Sequence, residues 1–244
     1  MFENAGAAGR TKLQRQWDVV REHPSGVLLA AQLIGILVFP FTESGGAGRT
    51  VISLFGLLVL ALAVLAVNRT PSTRIVAWSL GAPVLLLTIA EAIWVDADAL
   101  TLADAPTVWI TLISNVFHAI FYFYTAVSLL RYMFADAWVS RDELLATGAT
   151  FTVLVWAFAY TYGAVQIIYP GSFTVAGGDA QLSWFELLFL STTTLTGTGL
   201  SDIAPAADAN FARAIIMLQM LAGMNYIALV IARLLGLTLI KFRR

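Results

Sequence analysis

Six apolar runs of nearly bilayer-crossing length dominate this chain: Gly26 to Phe41, Val51 to Val67, Ile75 to Val95, Val108 to Tyr132, Leu144 to Ile168 and Phe211 to Ile240. A helix needs roughly 20 predominantly apolar residues to cross the hydrocarbon of a membrane. Lipid offers no hydrogen bonds, so each run must satisfy its own backbone, and an all-α membrane protein of six transmembrane helices is expected. Composition agrees. Only 12% of the 244 residues are charged and 59% are hydrophobic, with a mean hydropathy of +0.81, whereas a soluble domain is about one quarter charged. A soluble enzyme is excluded. A net charge of −1 argues against nucleic acid as a partner, since such binders carry a basic stripe or domain. No cysteine and two histidines exclude disulfides and thiolate chemistry and leave no cluster for a metal.

The first run is the shortest and holds Gln32, which raises the alternative of a signal peptide. The stretch before it is long and includes Asp18 and Glu22, unlike a usual n-region, so a span is preferred. Lysines and arginines set the orientation. With the N-terminus inside, Arg10, Lys12, Arg15, Arg21, Arg69, Arg74, Arg131, Arg141, Arg233, Lys241, Arg243 and Arg244 fall on the cytoplasmic side, against Arg49 and Arg213 outside. Both termini are expected in the cytoplasm, with Glu43, Asp96, Asp98, Asp104, Asp179, Asp202 and Asp208 on an acidic outer face. The Asn68-Arg-Thr triplet then lies inside, where it carries no glycan.

The polar connection Asp136 to Glu143 divides the chain. Residues 1–25 form a cytoplasmic N-terminal segment, residues 26–135 a four-span module, and residues 142–244 a module of two spans around a long outer segment. No internal repeat or low-complexity tract interrupts this plan, and no soluble ligand domain is expected after the last span. The fourth span lacks arginines at every third position and has only Arg131, at its inner end, so the four-span module is no voltage sensor. Its aromatic run Phe117, Phe121, Tyr122, Phe123 and Tyr124 reads as packing or interface anchoring. Glu91 is the carboxylate set well inside an upstream span; its candidate partners are His118 and Asn115, which share one helix face. A Glu91–His118 polar pair is expected there, either structural or proton-sensitive.

Gln181 to Leu195 is too short to span a bilayer but apolar enough to lie at membrane depth, and it runs into alternating glycines and hydroxyls. Irregular backbone inside a membrane is tolerated where it is buried in protein or lines a wet cavity. A re-entrant helix and pore loop therefore follow, with glycines free to turn carbonyls toward an ion. Glu186 sits near the N-terminus of that short helix, where the helix dipole favours a carboxylate.

The stretch FLSTTTLTGTGLSD, Phe189 to Asp202, resembles the pore loop of the tetrameric potassium-channel superfamily, which reads roughly YFSxxTLTTVGYGD. Ser191, Thr194, Leu195, Thr196, Gly199 and Asp202 match without a gap, and Phe185-Glu186 falls on the family's frequent Phe-Asp. Arg213 to Leu237 is similar to the inner helix of bacterial two-helix-pore ion channels, with Gly223 at the hinge glycine and an Ile231-Ala-Arg run near the inner end. The resemblance covers about residues 142–244; the first four spans match only in number.

What this resemblance implies is a homotetramer in a bacterial inner membrane, each chain lending one loop to a fourfold pore in which backbone oxygens replace the ion's water. The filter would comprise Thr196, Gly197, Thr198, Gly199, Leu200 and Ser201, with Asp202 ringing the outer mouth. It departs from the family's T-V-G-Y-G. Gly197 removes the threonine of the innermost site, Leu200 replaces the bracing tyrosine, and Ser201 replaces a glycine in a conformation that costs an L-residue about 1–2 kcal/mol. Sliding the frame by two aligns Gly197-Thr198-Gly199 with G-Y-G but loses the other matches. The expectation is a passive cation channel, without cofactor or resident metal, passing K+ with weakened discrimination against Na+. The alternatives are a non-conducting or non-selective homologue and, in other classes, a cation transporter subunit or a membrane enzyme.

Overall fold

The computed structural model describes residues 23–41, 55–56, 58–59, 61–63, 71–94, 105–135, 141–175 and 181–242. Helix α1 (Pro24–Val38) ends in a 3-10 turn, Phe39–Phe41, and is followed by α2 (Pro71–Trp94), α3 (Ala105–Met133) and α4 (Arg141–Ile168). Then come β1 (Phe173–Val175), the short α5 (Trp184–Thr196), β2 (Ile203–Pro205) and the long α6 (Asn210–Phe242). Most of the expected second span, nearly all of the N-terminal segment, and the outer residues Glu43, Asp96, Asp98, Asp104 and Asp179 lie outside the described residues.

Four helices among the described residues are long and apolar enough to cross a membrane: Pro24–Phe41, Val108–Met133, Asp142–Ile168 and Asn210–Arg233. A shorter apolar helix, Trp78–Ala90, lies within the expected third span. The all-α expectation needs one correction. Strands β1 and β2 pair antiparallel, Phe173 opposite Pro205 and Val175 opposite Ile203. Two strands of three residues have little intrinsic stability; here Phe173 and Ile203 are buried and pack into the core beside Tyr162 and Ile216. The ribbon thereby ties the chain leaving α4 to the chain entering α6.

Helix α4 is the hub, packing against α1, α3, α5 and α6. One core runs across the connection between the two modules, joining Leu28 of α1, Tyr122 and Leu129 of α3, Val155 and Trp156 of α4, and Leu188 and Leu195 of α5. Buried polar contacts among the described residues tie neighbouring helices together. Gln32 of α1, fully buried, accepts a hydrogen bond from the Thr152 hydroxyl at 2.6 Å. At the start of α4 the Asp142 carboxylate accepts from the Ser25 amide at 3.2 Å, the Ser25 hydroxyl at 3.1 Å and the Tyr132 hydroxyl at 3.2 Å. It thus fastens the beginning of α1 and the end of α3 to one helix N-terminus, where a carboxylate is favoured.

Beside it, Glu143 faces Arg233 of α6 at 3.7 Å, with side chains 5% and 13% exposed. The same guanidinium lies 5.0 Å from the Phe134 ring centroid. Removing the cation from so buried a carboxylate destabilises more than removing both charges. R233M is therefore expected to lower unfolding stability in detergent by about 3 kcal/mol, and the double variant E143Q/R233M to recover most of that loss. Equal losses in the single and double variants would show that the pair does not hold α6.

Candidate pore helix and loop

Helix α5 owes its limits to local chemistry. Ser183 is its N-cap: the Ser183 hydroxyl accepts from the Glu186 amide at 3.3 Å, and the Glu186 carboxylate accepts from the Ser183 amide at 2.7 Å. This is a capping box, satisfying two donors that the first turn leaves orphaned. Glu186 therefore sits at the helix start as a cap. Leu187, Leu188, Leu190 and Leu195 are buried, as are Ser191, Thr193 and Thr194, so the segment is enclosed by α4 and α6 over most of its length.

Gly197 ends the helix in the left-handed region, φ 71° and ψ 14°. Its amide donates to the Thr194 carbonyl at 3.1 Å, and the Thr198 amide donates to the Thr193 carbonyl at 3.1 Å. That pairing is a Schellman motif with glycine at its left-handed position. Gly199 also has a positive φ, 63°. The backbone then tightens, with the Ser201 amide donating to the Gly199 carbonyl at 3.0 Å and the Ile203 amide to the Ser201 hydroxyl at 3.1 Å. The strain expected at Ser201 does not arise: no non-glycine residue among those described has a positive φ. Ser201 makes a hydroxyl-closed turn instead.

Residues Thr196 to Leu200 are exposed, Leu200 by 73%. Asp202 is exposed as well. The hydroxyls of Thr196 and Thr198 lie 3.1 Å apart, and Thr196 donates its proton to the Thr192 carbonyl at 2.9 Å. A groove of about 400 Å³ runs along this side of the chain, lined by Thr196, Gly197, Gly199 and Ser201 and by Met220 and Met224 of α6.

Two residues of α6 set how closely it approaches α5. A Cβ at Gly223 would collide with the backbone carbonyl of Leu195, so glycine is what lets the two backbones approach. Helix α6 runs unbroken through this position. One turn earlier, Gln219 is fully buried and donates to the Ser191 carbonyl at 2.8 Å and the Ser191 hydroxyl oxygen at 2.7 Å, while its own oxygen accepts from the Tyr162 hydroxyl. Sequence reasoning missed Gln219. The available signal was that it is the sole polar side chain between Arg213 and Asn225 in an apolar run.

Residues 148–238 match the model of a family described as Ion channel. The ion-channel match takes in most of α4, all of α5, the loop with β2, and most of α6; α5, the loop with β2, and α6 line the groove. It supports a channel function and, with the four membrane-crossing helices, a membrane protein. No curated protein and no solved structure gives a significant match.

Of the expected Glu91–His118 pair, the histidine side chain is described. His118 lies buried between α2 and α4: Nε2 is 3.2 Å from the Thr88 hydroxyl, Nδ1 is 2.9 Å from the Ser114 carbonyl, and the ring stacks on Tyr160 at 4.4 Å. Asn115, also buried, rests against Gly163 of α4. The side chain of Glu91 lies outside the described residues. Of the aromatic run, Phe121 and Tyr122 are core residues, Tyr122 stacking on Tyr160 at 5.7 Å.

Proposed function

We propose that this protein is a passive cation channel in which four copies surround one axis, each contributing α5 and residues 196–201 to an ion pathway. Six helices cross the membrane, α5 enters it without crossing, both termini face the cytoplasm, and Asp202 from each chain rings the outer mouth. The permeant ions are K+ and, with weaker discrimination than a full potassium filter gives, Na+. The observation that carries this reading is the coincidence of the ion-channel match with a short, capped helix leading into an exposed loop of backbone and hydroxyl oxygens, two of its glycines at positive φ. A dehydrating cation needs such uncharged oxygen ligands. Leu200 and Ser201 in place of tyrosine and glycine favour fewer well-formed sites, and hence weaker selectivity.

The homotetramer rests on the resemblance to fourfold potassium-channel pores, to which one chain would lend one loop. An unpartnered groove of this size beside the loop is suited to a neighbouring copy. Purified particles should show fourfold projections, and liposomes containing them should release loaded K+ down its gradient faster than empty liposomes. Dimers or monomers with no K+ release would turn the assignment toward a transporter subunit, and fourfold particles without release toward a non-conducting homologue.

A further inference from the structure

We propose that Gln219 is a positioning residue for the ion pathway: from inside α6 it fixes the depth and rotation of the short helix α5, and through it the loop. This rests on the channel reading above. Buried amides in apolar helices need partners, and Gln219 places both ends of its amide. Its nitrogen donates twice to Ser191, at 2.8 and 2.7 Å, and its oxygen accepts from Tyr162 of α4. Ser191 in turn donates its hydroxyl to the Val155 carbonyl at 2.7 Å.

Gln219 and Ser191 are both 0% exposed. One residue thus bonds α5 to α6 directly and to α4 through Tyr162. The junction lies close to the loop. Two residues beyond Ser191, the Thr193 carbonyl accepts the Thr198 amide that closes the turn into the loop. Gly223, four residues after Gln219 and so on the same face of α6, meets the Leu195 carbonyl. Helix α6 therefore grips α5 at two successive levels, one by hydrogen bonds and one by contact. A side chain that never touches the ion controls where the ion's ligands stand.

The test uses the full-length chain in liposomes and in detergent. Gln219→Met keeps the length of the side chain and removes all three bonds; Tyr162→Phe removes one; Ser191→Ala leaves the carbonyl as acceptor. The K+/Na+ permeability ratio is expected to change by about fivefold in Q219M, less in S191A and least in Y162F. Amide exchange over residues 191–199 should accelerate about tenfold in Q219M, with α3 unchanged. A folded, tetrameric Q219M with wild-type permeability ratio and wild-type exchange over residues 191–199 overturns the assignment. Should the wild type carry no current, the channel reading fails by itself, and the exchange measurement still decides whether Gln219 holds α5.

Discussion

Replacing Gly223 by alanine is expected to lower thermal stability in detergent and to suppress ion flux. In an exposed helix interior, glycine to alanine gains about 1 kcal/mol from helix propensity, so the default expectation has the opposite sign. Here the added Cβ meets the backbone carbonyl of Leu195 rather than a pliable side chain. Overpacking of this kind typically costs 1–3 kcal/mol, and a backbone obstacle puts G223A at the upper end, about 3 kcal/mol before the propensity gain is subtracted. The relaxation must move α5 or α6, both of which border the groove. Liposome flux should therefore fall further than stability. A G223A protein that melts later than wild type and conducts normally would mean that α6 does not approach α5 here.

The second large effect concerns Gly197. Restoring the threonine of the potassium-channel pattern by G197T is expected to damage the channel rather than repair its innermost site. Gly197 has φ 71° and closes the Schellman motif that ends α5. A left-handed conformation costs an L-residue about 1–2 kcal/mol, and a β-branched side chain is the poorest choice for it. Four chains would incur this cost together. G197N should be milder, since asparagine tolerates that region. The readouts are melting temperature and K+ flux for wild type, G197N and G197T, with losses increasing in that order. A G197T channel of wild-type stability and sharper K+ preference would show that Gly197 occupies a filter position instead of a helix end.

These two residues also show what could be read from the chain itself. Glu186 was legible as a carboxylate near the start of α5, a local signal for a local structure, whereas its capping partner Ser183 was not marked in advance. The membrane-crossing helices were legible because their length and apolarity answer to the bilayer alone. Gly223 could be marked by its letter, but that it faces a carbonyl of α5 depends on how two helices cross. Gln219 carried even less. A lone amide in an apolar run has no periodicity, and its partners Ser191 and Tyr162 lie 28 and 57 residues away.

The β1–β2 ribbon was hidden for a similar reason. Phe173–Val175 and Ile203–Pro205 are three residues long and 30 apart, and one ends in proline. At Ser201 the pattern of the family predicted strain that the chain avoids, because its hydroxyl accepts the Ile203 amide and closes a turn of its own. The loop lies between two long helices and turns its backbone with glycines at 197 and 199.

The most direct test of cation conduction with weakened selectivity is a bi-ionic reversal potential on the reconstituted protein, with K+ on one side and Na+ on the other. The reading predicts a measurable current whose reversal potential corresponds to K+ favoured over Na+ by less than about tenfold, or about 1.4 kcal/mol. A reversal potential showing K+ preference of full potassium-channel strength would contradict the weakened filter, and the absence of any cation current from verified tetramers would contradict the channel itself.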